Sequence, residues 1–118
     1  MSELADVTVD LVDGVNVARV RGEIDLSNAE GILEVVLEPA VSRPGPGVVV
    51  DLSQTTYIDS AGIRELFELK ERLEALGQRL RLVVPKDATI TRVLELASAD
   101  TSLDIDPTLP EALAALAS

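Results

Sequence analysis

Val48-Val49-Val50 is an apolar run with no polar alternation, set between the turn-forming cluster Pro44-Gly45-Pro46-Gly47 and Asp51-Leu52. A strand that is apolar on both sides needs cover on both sides, the condition found in the middle of a mainly parallel sheet. Parallel neighbours are joined by crossovers, usually helices. The run therefore commits the chain to layered α/β packing. Downstream, Ile63, Leu66, Phe67, Lys70, Leu73 and Leu76 fall at helical spacing, and Gly77 suits a C-terminal cap. Between the strand and this helix, Ser53 to Tyr57 reads as a short polar bridge closed by Ile58. Strand, bridge and helix meet at Asp59-Ser60-Ala61-Gly62, which presents a hydroxyl on the first helical turn.

The remaining segments extend that layering. Val7, Val9 and Leu11 alternate with polar residues as a half-buried strand does, and Asp13-Gly14 is a favoured hairpin turn into a second strand with Val15, Val17 and Val20. After the exit Gly22-Glu23-Ile24-Asp25-Leu26, Ser27 with Glu30 reads as a capping box for a helix filled by Ile32, Leu33, Val35, Val36 and Leu37 and stopped by Pro39. Leu80, Leu82, Val83 and Val84 form a further strand; Asp87 or Thr89 caps a helix with Ile90, Val93, Leu94 and Leu96. Leu103 and Ile105 suggest a last strand, and Thr108 with Glu111 is a second capping box before Leu113 and Leu116. The order β-β-α-β-α-β-α-β-α predicts an α/β fold: a mixed, mostly parallel sheet with an N-terminal antiparallel hairpin and about four helices. The 118 residues are expected to form a single domain.

Composition narrows the function. Tyr57 and Phe67 are the only aromatics, so the core must be aliphatic. With no cysteine there is no thiolate or disulfide chemistry, and with no histidine the commonest general base and metal ligand are missing. The net charge of −11 repels phosphate backbones and anionic lipid, so neither nucleic acid nor membrane is an expected partner. It suits a partner with a basic face. No apolar run approaches a membrane span of about 20 residues, and Met1-Ser2-Glu3-Leu4-Ala5-Asp6 does not resemble a signal peptide, which points to the cytoplasm.

Ser60 has no histidine to take its proton. Lys70 lies about 15 Å along the same helix, whereas Lys86 follows the neighbouring strand and stays open as a dyad partner. No phosphate-binding loop of the P-loop kind is present. Asp25, Asp51 and Asp59 would hold a divalent ion only if they converged. Two readings of Ser60 remain: a plain helix cap, or a phosphate acceptor at a helix start whose amides and dipole favour negative charge. Glu68 with Arg72 is a well-oriented helical ion pair.

Asp51-Leu52-Ser53 followed by Ile58-Asp59-Ser60-Ala61-Gly62-Ile63 resembles the signature of STAS domains, specifically the bacterial anti-sigma factor antagonists. Gly22-Glu23-Ile24-Asp25 resembles that family's second marker, and the element order matches from about Val7 to Leu116. The resemblance implies a binding switch and not an enzyme. The unphosphorylated antagonist holds an anti-sigma factor that is also an ATP-dependent serine kinase, and so frees a sigma factor. Phosphorylation ends binding and a phosphoserine phosphatase resets it. By motif position Ser60 is the phosphoacceptor, with Asp25, Asp59, Ala61 and Gly62 in the docking patch; Gly62 would let another backbone approach closely. Ala61 stands where some members have a second serine; Ser53, Thr55 and Thr56 are second-choice acceptors. ATP belongs to the partner, so no cofactor of its own is expected, and a monomer or weak homodimer is the expected state. Two alternatives stand beside this: a STAS subunit of a stress-signalling or lipid-transport complex, and a receiver-like protein autophosphorylated on Asp51, with Glu23, Asp25 and Lys86 as imperfect stand-ins for its acidic pair and lysine.

Overall fold

The computed structural model describes residues 5–117 and arranges five strands in one sheet, in the order β1-β2-β3-β4-β5. Met1 to Leu4, read above for the lack of a signal peptide, lie outside the described residues. β1 (Ala5–Val12) pairs antiparallel with β2 (Val15–Ile24), while β3 (Gly47–Ile58), β4 (Arg79–Val83) and β5 (Ile105–Asp106) continue the sheet in parallel. The hairpin turns on Asp13 and Gly14, with φ of 51° and 78°. Positive φ at both central residues is what a type I′ turn requires, and its twist matches the strands that it joins.

Val48, Val49 and Val50 are buried, and their alternating side chains serve two layers. Val48 and Val50 pack with the core beneath α1 (Ala29–Ser42), α2 (Ser60–Ala75) and α3 (Thr91–Leu96). Val49 joins Val15, Val17 and Val83 beneath α5 (Leu109–Ala117) on the other face. A single turn, α4 (Ala99–Ser102), between α3 and β5 was not foreseen.

β3 is 12 residues long, so the expected polar bridge is strand. Ser53, Gln54, Thr56 and Tyr57 are exposed, and their polarity reflects solvent on an uncovered stretch of sheet. Thr55 is buried and satisfied, its Oγ1 donating to the Val20 carbonyl at 2.9 Å. The extension pairs with the irregular end of β2, down to Ile24 opposite Ile58.

Helix ends depart from expectation where long-range contacts intervene. α1 runs through Pro39, because its tail is held from outside: Asn16 Nδ2 donates to the Pro39 and Arg43 carbonyls at 3.4 and 3.1 Å, and Gln78 Nε2 to the Ala40 carbonyl at 2.9 Å. α3 starts after Ile90 without a side-chain cap, and Thr89 Oγ1 instead donates to the Thr56 carbonyl at 3.3 Å. α2 buries Ile63, Leu66, Leu69 and Leu73, not Lys70, whose Nζ reaches the Ser102 carbonyl at 3.0 Å; Leu76 is exposed. Arg72 turns to Glu34 of α1 at 3.5 Å rather than to Glu68. The cap expected at Gly77 forms, and one half of the second capping box does. The amides of Gly77 and Gln78 close α2 on the Glu74 and Leu73 carbonyls, and the Glu111 amide donates to Thr108 Oγ1.

Candidate functional site

β2 and β3 end side by side, Ile24 opposite Ile58. The Asp59 amide donates to the Ile24 carbonyl at 3.2 Å, carrying the pairing one step beyond the strands. Asp59 then adopts extended backbone and takes the N-cap position of α2, its Oδ1 accepting from the Gly62 amide at 3.0 Å. The cap is therefore Asp59, and Ser60 is the first helical residue. Ser60 is exposed, and among the described residues its Oγ has no hydrogen-bond partner. Of the two readings left open for this serine, the cap is excluded. The first helical amides have no intrahelical acceptor, so the hydroxyl sits in a locally electropositive backbone environment.

The facing loop is wound on its own side chains. Asp25 Oδ1 accepts from the Ser27 amide at 2.9 Å and from Ser27 Oγ at 2.6 Å. Asn28 returns to the loop: its Oδ1 accepts from the Asp25 amide at 2.9 Å and its Nδ2 donates to the Glu23 carbonyl at 2.8 Å. The capping box expected of Ser27 and Glu30 does not form, because the Ser27 hydroxyl is engaged with Asp25 and α1 begins one residue later than that pairing needs. Asn28 is the loop's organiser and was missed; the sign was an asparagine directly before a helical pattern, which competes for backbone groups as readily as serine does.

Asp59 joins the loop to the helix. Its Oδ1 serves Gly62, and its Oδ2 accepts from the Leu26 amide at 3.3 Å. Asp25 and Asp59 are both half-buried and flank this corner with Ser60. Ala61 and Gly62 are placed differently. Ala61 is only 7% exposed and Gly62 is buried, so both face inward. The close approach that needs a glycine is internal: a Cβ at Gly62 would lie 2.6 Å from Ile58 Cγ1 and 2.9 Å from Ile24 Cγ2. The expected role of Gly62 in admitting another backbone gives way to packing of the strand ends under the helix start.

Asp51, the acceptor of the receiver-like alternative, lies within β3 rather than at its end, and its Oδ1 accepts from the Ser53 amide at 2.9 Å. Among the described residues no group of three acids gathers in a way that could hold a metal ion. Thr55 is buried, which removes one second-choice acceptor.

A family model described as STAS domain matches residues 6–112. Over 116 residues the chain is 31% identical to the anti-sigma-F factor antagonist RsfB of Mycobacterium tuberculosis, covering 96% of this chain and 92% of that protein. It superposes on the crystal structure of an anti-sigma factor antagonist from Mycobacterium paratuberculosis with a TM-score of 0.84 at 30% identity, over 97% of this chain and 95% of that one. SpoIIAA, an anti-sigma factor antagonist solved in its unphosphorylated form, shares the fold with a TM-score of 0.69 at 20% identity, over 96% and 99% of the two chains. The family model spans nearly the whole of this five-stranded domain, and the chain belongs to the STAS domain family.

Proposed function

We propose that this chain is an anti-sigma factor antagonist of the cytoplasm, a binding switch set by the phosphorylation state of Ser60. The observation that carries the reading is the exposed Ser60 hydroxyl, free of any capping duty, at the first position of α2 beside Asp59. The names of RsfB and of the Mycobacterium paratuberculosis structure support the regulatory class. Unphosphorylated, the chain binds an anti-sigma factor that is also a serine kinase, and the sigma factor is released. The kinase brings ATP. Ser60 Oγ attacks the γ-phosphorus, the bond from that phosphorus to the ADP oxygen breaks, and the hydroxyl proton passes to a base on the kinase. Asp59 is a poor candidate for that base, since both its oxygens accept backbone amides.

Phosphate on Ser60 adds about −1.5 to −2 charges at neutral pH. The helix start tolerates them, because its free amides and dipole favour an anion. The docked partner does not, since the added charge falls beside Asp59 and Asp25. The fold survives while binding is lost, and a phosphatase restores the first state. Incubation with ATP and its cognate serine kinase, followed by mass-spectrometric mapping, is expected to place phosphate on Ser60. Ser60→Ala is expected to keep the partner and Ser60→Glu to lose it. Phosphate found elsewhere while Ser60 stays unmodified would overturn the reading.

A further inference from the structure

Leu26, whose amide is held by the residue before the serine, is 78% exposed, more than any other large apolar side chain among the described residues. Its backbone is nonetheless fixed. The amides of three consecutive residues all donate to side-chain oxygens: Asp25 to Asn28, Leu26 to Asp59 and Ser27 to Asp25. Asn28, which anchors this loop, is itself buried. A leucine held out into water on a rigid loop gains nothing for the fold. Pre-organised in this way, it loses little conformational entropy on docking.

We propose that Leu26 is the apolar anchor through which the chain docks on the protein that reads Ser60, and that its pocket on that protein is rimmed by lysine or arginine. This rests on the reading of Ser60 as the switch. The rim follows from charge: half-exposed Asp25 and Asp59 flank the leucine, Glu23 and Glu30 are exposed nearby in sequence, and the whole chain carries −11. An apolar centre within an ionic border is the usual anatomy of a docking hot spot. The anchor is coupled to the switch through Asp59, one of whose oxygens holds the Leu26 amide and the other the start of α2. Phosphate on the adjoining Ser60 repels that carboxylate and competes for the helix-start amides, so the loop carrying Leu26 loosens as the patch becomes more anionic.

The test titrates the serine kinase that phosphorylates Ser60, without ATP, with the unmodified chain and with Leu26→Ala, Leu26→Met and Val41→Ala. Val41 is also exposed but lies at the far end of α1, about 18 Å along the helix by its rise. Leu26→Ala is expected to weaken binding at least about tenfold, Leu26→Met to restore it to within about threefold, and Val41→Ala to leave it unchanged. Thermal melts are expected to be superimposable for all four chains, since the altered side chains are exposed. Leu26→Ala binding as tightly as the unmodified chain would overturn the proposal, as would sedimentation showing that Leu26 instead joins two copies of this chain. If the unmodified chain neither binds the kinase nor accepts phosphate at Ser60, the reading of the switch fails and the anchor with it.

Discussion

Asp59 does with one carboxylate what the motif needs twice. Oδ1 satisfies a free amide at the start of α2, and Oδ2 ties down the facing loop. Capping is thereby handed to the residue before Ser60, and the serine is left with an exposed, unengaged hydroxyl. Gly62 completes the corner by leaving space for Ile58 and Ile24. Gly62→Ala would gain helix propensity, but its methyl would overlap two β-branched side chains in the core. The expected net loss is about 1–2 kcal/mol in a denaturant titration, with Ser60 still phosphorylated in the variant that remains folded. At this scale the serine and its neighbouring acid were legible, because the residue types themselves carry the chemistry. The division of labour was not. Aspartate and serine are both good N-caps, and only the backbone at Asp59 shows which of two adjacent candidates stands outside the helix.

The two-sided Val48-Val50 strand, the Asp13-Gly14 turn and the Gly77 cap could be read in advance because each depends on local pattern. The upper half of β3 could not, since an exposed polar strand and a polar loop share one composition. Nor could the survival of α1 past Pro39, which depends on Asn16 and Gln78, each more than 20 residues distant in sequence. β5, only two residues long, is likewise held by a distant contact: Arg81 of β4 donates to both Asp106 oxygens at 2.8 and 2.9 Å and lies 3.5 Å from Asp104. The hydrogen bond to Asp106 raises the arginine's pKa further above its usual range, aided by attraction to both aspartates and opposed by burial. A cation with a raised folded-state pKa stabilises fully below its unfolded value, and loses that contribution only as pH rises through the folded one. The Arg81 contribution is therefore expected to be constant through the neutral range. Asp106→Asn is expected to cost about 1.5–3 kcal/mol in chemical denaturation at neutral pH, because a bidentate charged contact is lost. An unchanged midpoint would show that β5 is held by α5 and backbone pairing alone.

Across the whole molecule, acidity and architecture serve one end of the sheet. The strands β2 and β3 deliver Asp25 and Asp59 to the same end of the sheet, where α2 begins. A core divided between two faces supports those strand ends from both sides, and a chain at −11 favours a basic partner and disfavours a further anion. Fold class and family were readable because layered packing and two short markers sufficed for them; the order of strands in the sheet came only with the structure. The exposed leucine was not, since exposure is a property of the folded loop. The central claim is that one hydroxyl governs docking through charge. Calorimetric titration of the anti-sigma kinase with unmodified chain and with chain fully phosphorylated on Ser60 tests it most directly. The phosphorylated form is expected to bind at least about 100-fold more weakly, a difference of about 2.7 kcal/mol. Equal affinities for the two forms would contradict the account.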